Sequence, residues 1–179
     1  MDIKSAQQDV QTTFVRGSVG QTVSGLIWLV SAALGTWVGE RYAILTLVLV
    51  GMFIFPLTQL SLRLLGRSGG LPKGHPMNSL AMQVAFIVPL CLPVIGAASL
   101  YNINWFYPAF MLIIGVHYMP FIFLYGMWEF GALAVLLIGG GVAFGMLLPD
   151  SFITGGWFTA IVLLLFAALV QFTPRLMKK

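Results

Sequence analysis

Long apolar runs alternate with short polar breaks along most of this chain. Six of the runs are long enough to cross a bilayer, because a spanning helix needs roughly 20 mostly apolar residues. The breaks between them carry the charged residues and the turn formers glycine and proline. The predicted spans are about 18–38, 42–65, 77–100, 105–127, 130–148 and 155–174.

The composition indicates a membrane protein. Hydrophobic residues make up 59% of the 179 positions and charged residues only 8%, whereas soluble domains average about 25% charged residues. A small soluble domain leaves too much of its surface exposed to hide so many apolar side chains. Backbone polar groups in lipid must be satisfied within the chain, so the spans are helices. The sequence therefore predicts an all-α fold, a polytopic integral membrane bundle of six transmembrane helices that forms a single domain over 1–179.

All basic residues except Arg41, which follows Glu40, fall on one side of this predicted topology. Lys4 and Arg16 precede the first span, further basic residues occupy 63–73, and three more lie in 175–179. The positive-inside rule then places both termini in the cytoplasm, N-in/C-in, of what we expect to be a bacterial inner membrane. The formal net charge of +4 follows from this topology, and we expect no nucleic-acid partner.

Apolar residues recur at helical spacing before the first span, at Ile3, Ala6, Val10 and Phe14. This pattern favours a short amphipathic helix on the cytoplasmic membrane surface, so residues 1–17 are predicted to be a cytoplasmic amphipathic N-terminus. The alternative is a frayed terminus.

The cytoplasmic loop 66–76 is rich in glycine, proline and basic residues. Arg63, Arg67 and Lys73 are candidates for contact with anionic lipid headgroups. The alternative is a plain charge cluster that fixes topology. Glu129 is expected to pair with Arg63 or Arg67, and the alternative is that it borders a proton path towards His117.

Several prolines lie within predicted spans, where each removes a backbone donor and favours a bend. These expected kinks are at Pro56, Pro89, Pro93 and Pro120.

Glycines four residues apart, at Gly35 and Gly39 and again at Gly141 and Gly145, allow close helix contacts. We expect these pairs to serve internal packing, with a homo-oligomer as the alternative.

Polar side chains concentrate in the predicted cytoplasmic half of the spans. Ionisable residues inside a span are rare and are functional hypotheses by default, which singles out His117. The alternatives are that His117 braces the carbonyl of Val116, left without a donor by Pro120, and that the glutamines reach the interface or join neighbouring helices. The candidate ligand-binding residues are His117, Tyr118, Gln59, Gln83, Glu129 and Tyr125.

These residues favour a non-enzymatic function, namely binding or transport of a small ligand through a polar cavity that faces the cytoplasm. The alternatives are an accessory or structural subunit of a membrane complex and, third, an enzyme that acts on lipid. The sequence shows no catalytic motif, and we expect no metal and no cofactor.

The stretch HYMPFIFLYG, 117–126, forms a His-aromatic-x-Pro-Phe-x-x-Leu-Tyr run in the fourth span. With six short spans and the Gly/Pro loop, this run resembles a family of small, uncharacterised bacterial integral membrane proteins. The resemblance covers most of the chain and implies a six-helix bacterial membrane protein. It implies no activity, because that family has none established.

Overall fold

The computed structural model describes residues 2–172. Within that range the chain is all-helical and contains no strand. Residues 173–179, with the basic carboxyl-terminal cluster that was predicted to be cytoplasmic, lie outside the described residues. The α-helices are α1 (Ile3–Thr13), α2 (Ser18–Trp37), α3 (Glu40–Leu45), α4 (Ile54–Leu64), α5 (Asn78–Tyr101), α6 (Phe106–Tyr125), α7 (Glu129–Leu147) and α8 (Thr154–Phe172).

Within residues 2–172, six helical segments are long and apolar enough to cross a membrane, which confirms the predicted number of spans. The second of them, Glu40–Leu64, combines α3 and α4, and the others centre on α2, α5, α6, α7 and α8. The side of the membrane on which the termini lie stays a prediction, and so does the single-domain organisation.

Helix α6 lies at the centre of the bundle. It packs against α5, α7, α8 and α1, while α2 packs against α8, α3 and α4. Half of the most apolar stretch of the α6 span (50%) is buried, against 11% for each of the second and third spans. The second and third spans are therefore peripheral, and they do not pack closely against each other.

The second span is irregular in its middle. After α3 the chain makes a wide π-turn over Thr46–Val50 and a 3-10 turn over Gly51–Phe53 before α4 begins. Pro56, where a bend was expected, lies in the first turn of α4, directly after these irregular turns. It cannot donate a hydrogen bond to the carbonyl four residues earlier, which lies in the 3-10 turn. Pro89 and Pro93 lie inside α5 and Pro120 inside α6, and both helices continue past them.

Helix α1 docks against the end of α6. Ala6 and Val10 are buried on its inner face. Gln7 and Gln11 each donate a side-chain N–H to a carbonyl in the last turn of α6, both at 2.6 Å. The chain is thus helical over Ile3–Thr13, and the buried face of this helix meets protein. The predicted position of residues 1–17 on the cytoplasmic membrane surface stays a prediction. We call this end of the molecule the α1 end.

The connection between α1 and α2 has an unusual backbone. Val15, Arg16 and Gly17 have φ of 50°, 56° and 83°, so three consecutive residues are left-handed. That conformation suits glycine, whereas a β-branched valine rarely adopts it. The last residues of α8 also pack against this connection, so α8 ends at the α1 end.

The loop 66–76 folds back onto α1. His75 is buried, its Nε2 lies 3.6 Å from a carboxylate oxygen of Asp9, and its Nδ1 accepts from the Met77 N–H at 3.2 Å. The loop, α1 and the turn after α6 therefore occupy the same end of the bundle.

The prediction that Glu129 pairs with Arg63 or Arg67 is wrong. Its carboxylate lies 3.5 Å from the guanidinium of Arg16, whereas Arg63 and Arg67 are exposed. The helical docking of α1 brings Arg16 to the start of α7, which the linear sequence did not indicate.

The glycine pair of α7 serves internal packing. A Cβ at Gly141 would meet the carbonyl oxygen of Pro108 at 2.9 Å, and one at Gly145 would meet the Trp105 ring at 2.7 Å. In the first span, a Cβ at Gly35 would meet Ile153 at 2.6 Å. Small residues at these positions let α7 approach α6 and let α2 approach the start of α8.

Candidate functional site

A cavity of about 270 Å³ lies between the first four spans. Its walls come from α2, the second span, α5 and α6. Most of the wall is apolar, with Trp28, Leu47 and Phe110 towards the end of the bundle opposite α1. The sequence predicted a polar cavity that faces the cytoplasm, whereas most of the wall of this cavity is apolar. Ligand binding or transport through it stays a prediction.

Helical periodicity brings these residues to one wall. On α6, Phe110, Ile114, His117, Tyr118 and Phe121 recur at intervals of about one helical turn, so they share a face. The lining residues of α2 and α5 follow the same spacing. Each of these helices therefore presents one continuous stripe to the cavity.

The polar lining residues gather in the half of the cavity nearer the α1 end, where α2 begins and α4 and α6 end. This grouping gives the cavity one polar and one apolar half. The polar residues are Gln21, Ser24, Thr58, Gln59, His117, Tyr118 and Tyr125.

Tyr118 joins α6 to α2. Its hydroxyl donates to Oε1 of Gln21 at 2.8 Å, and Ser24 also hydrogen-bonds to that hydroxyl. Tyr118 is buried, with 5% of its surface exposed. Its polar atom is therefore engaged within the protein, and its role here is to position α6 against α2.

His117 is held from α5. Its imidazole hydrogen-bonds to the backbone of Val84, and its ring lies 5.0 Å from the Phe121 ring. The sequence offered the Val116 carbonyl as an alternative hydrogen-bond partner of His117. The structure instead pairs His117 with α5, in the third span. In the described chain Nδ1 is buried and has no hydrogen-bond partner, so we assign the bond to Nε2.

Thr58 is a second unpartnered group on this wall. Its Oγ1 is buried and has no hydrogen-bond partner among the described residues, although helical threonines often bond to a carbonyl one turn back. Buried polar groups are normally paired, and the exceptions call for an explanation such as a ligand. Thr58 and His117 both line the cavity.

The structure gathers four of the six predicted ligand-binding residues. Gln59, His117, Tyr118 and Tyr125 line the cavity. Gln83 is exposed on α5 and is not part of the wall. Glu129 forms an ion pair with Arg16 and is not part of the cavity wall either. Ligand binding by any of these residues stays a prediction.

Three polar lining residues are absent from the predicted ligand-binding set, namely Gln21, Ser24 and Thr58. A signal existed for two of them, because Gln21 and Ser24 are one helical turn apart on the same face of α2 as Trp28. Nothing in the sequence singled out Thr58. It became a candidate only because its hydroxyl has no hydrogen-bond partner in the described chain.

The predicted lipid-contact residues Arg63, Arg67 and Lys73 are all exposed at the α1 end. Their contact with anionic lipid stays a prediction. Residues 2–172 hold no group of three or more His, Cys, Asp or Glu side chains placed to bind a metal ion.

The cavity has an exposed rim between the second and third spans. Met52 and Phe55 line the cavity and are 61% and 53% exposed, and Pro89 across from them is also exposed. Because these two spans do not pack closely together, the gap between them opens sideways, towards the surface that lipid would cover.

These features define a multi-pass helical membrane protein with a ligand-sized cavity within the bundle. The chain belongs to the family described as a family of unknown function (DUF7010), whose model matches residues 3–173. The expected membership of an uncharacterised family is thus confirmed, while bacterial origin stays a prediction. No curated protein and no solved structure matches the chain.

Proposed function

We propose that this protein binds a small, largely apolar ligand in the cavity between its first four spans, without transforming it. The observation that carries this proposal is the cavity itself. Its volume of about 270 Å³ lies just below the usual range of ligand sites, which begins at about 300 Å³. Its mainly apolar wall and small polar group match the usual composition of such sites.

The ligand enters sideways from the bilayer in this proposal. The support is the exposed rim at Met52, Phe55 and Pro89, together with the loose packing of the second span against the third. This route replaces the cytoplasm-facing access expected from the sequence. The accessory-subunit alternative expected a packed, dry His117 and an exposed helix face, and the position of His117 on the cavity wall favours the binding proposal over it.

We place the protein in a bacterial inner membrane with the α1 end facing the cytoplasm. The support is the charge distribution, because Lys4, Arg16 and the basic residues of 63–73 belong to this end, whereas Arg41 lies towards the other. Basic residues near span ends favour the cytoplasmic side.

Filling the cavity tests the binding proposal. Ala85 of α5 lines the cavity, whereas Ala97 of the same helix is exposed. The Ala85→Phe variant is expected to lose most of the lipophilic molecules that co-purify with the protein in detergent, as quantified by mass spectrometry of solvent extracts. The matched Ala97→Phe variant is expected to retain them. Equal retention by both variants would refute binding in this cavity.

A further inference from the structure

The two buried polar atoms of the cavity wall without a hydrogen-bond partner in the described chain, Nδ1 of His117 and Oγ1 of Thr58, differ in the kind of ligand group that could bind them. Nε2 of His117 is the protonated nitrogen and donates to the Val84 backbone. Nδ1 is then an acceptor without a donor in the described chain. The Thr58 hydroxyl both donates and accepts, so it is compatible with either kind of partner.

The backbone adds a second acceptor beside these groups. Pro89 has no N–H and cannot donate to the carbonyl of Ala85, one turn earlier in α5. Both Pro89 and Ala85 line the cavity. Nδ1 of His117 and the Ala85 carbonyl are therefore two acceptors on this wall, the first without a donor in the described chain and the second without the N–H that a residue other than proline would supply.

Formal charge is absent from the cavity wall. None of the described lining residues is an aspartate, glutamate, lysine or arginine. The nearest charged residue along the chain, Arg16, precedes lining residue Gly17 and lies 3.5 Å from Glu129. Burying an uncompensated charge in such a site is costly, so the lining favours a neutral ligand.

We infer that the cavity selects a neutral amphiphile whose polar end carries a hydroxyl that donates to Nδ1 of His117, with its apolar part against Trp28, Leu47 and Phe110. This inference rests on the proposed function, since it names the ligand class of the same cavity. The polar half of the cavity near the α1 end receives the hydroxyl, and the apolar half receives the chain.

Four matched probes test this ligand class: 1-decanol, its methyl ether, decanoate and decylammonium. The alcohol and the ether share an apolar chain, but only the alcohol donates a hydrogen bond. The measurement is the rise in Tm of the full-length protein in maltoside micelles over a series of probe concentrations, which gives apparent affinities. The alcohol is expected to bind about two- to tenfold more tightly than the ether, which is the ratio that one hydrogen bond supplies.

Two substitutions of His117 separate the acceptor from the helix contact. Gln places its amide nitrogen near the position of Nε2 and so keeps a donor for Val84, but it lacks an acceptor at the position of Nδ1. Asn instead keeps a polar atom near the position of Nδ1. His117→Gln is expected to abolish the preference for the alcohol, and His117→Asn to keep part of it. Thr58→Val, which is nearly isosteric, is expected to lower alcohol affinity without raising ether affinity.

The possible outcomes distinguish a wrong ligand class from a failure of the proposed binding function. If alcohol and ether stabilise equally, and Ala85→Phe abolishes both effects, the protein binds apolar chains but the hydroxyl inference is wrong. If decanoate or decylammonium binds most tightly, the inference of a neutral ligand is wrong. If no probe stabilises the protein, the inferred ligand class is wrong, and if Ala85→Phe also retains its co-purified lipophiles, the proposed function fails as well.

Discussion

At the scale of single residues, the buried polar atoms of the bundle divide into two kinds. Tyr118 and Gln21 satisfy each other across two helices at 2.8 Å, and Ser31 bonds both to the Ala43 carbonyl and to the Tyr107 hydroxyl. These bonds hold spans together. His117 instead presents a buried nitrogen without a partner in the described chain, which is the kind of atom a ligand satisfies.

Removing the Tyr118 hydroxyl should weaken the bundle. Tyr118→Phe leaves Oε1 of Gln21 without its donor, and bonds of this kind between membrane helices are worth about 0.6–1.7 kcal/mol. We expect a lower Tm in detergent for Tyr118→Phe and for Gln21→Leu. The double variant should lose less than the sum of the two, because both remove the same bond. Strictly additive losses would show that this bond does not stabilise the protein.

Gly17 combines a backbone requirement with a steric one. Its φ is +83°, and a Cβ there would meet the Phe130 ring at 2.8 Å. Gly66 has a similar φ of +72° but open space around it. Gly17→Ala should therefore lower the Tm clearly more than Gly66→Ala, whose cost is the backbone strain alone, about 1 kcal/mol. Equal effects in thermal unfolding would mean that the linker moves away from Phe130 without cost.

At the scale of elements, the sequence predicted the helices better than their contacts. Apolar run length determined the spans, because lipid permits only helices there. It did not predict the π-turn over Thr46–Val50, since no proline or charge lies within those five residues. It also did not pair Arg16 with Glu129, because that contact depends on how α1 docks against α6.

The glycines of α7 provide a test of helix packing within one element. A Cβ at Gly141 would lie 2.9 Å from the Pro108 carbonyl oxygen, whereas one at Gly139 would meet nothing within 4 Å. Gly141→Ala should push α7 away from α6 and lower the Tm by several degrees, while Gly139→Ala should be neutral or slightly stabilising, as alanine favours helix. The test is the Tm of each purified variant beside the wild type, and an unchanged Tm for Gly141→Ala would contradict this packing.

At the scale of the whole molecule, the candidate site arises where helices fail to pack. The sequence placed polar residues in the correct half of the bundle, and four of the six predicted residues line the cavity. It could not reveal that the surrounding wall is mostly apolar or that the rim opens between the second and third spans. Those features depend on distances between spans, because α5 packs against α6 but not closely against α4.

The orientation of the molecule can be tested with single cysteines. Cys91 is the only natural cysteine, so Cys91→Ala provides the background. Ser68 lies in the exposed loop of the α1 end, and Asp150 is exposed in the turn between α7 and α8, at the opposite end. With a membrane-impermeant maleimide on intact cells, Asp150→Cys should react at once and Ser68→Cys only after permeabilisation, because basic residues keep the α1 end in the cytoplasm. The reverse labelling pattern would show that the α1 end faces away from the cytoplasm. Equal labelling of both sites would contradict a single orientation.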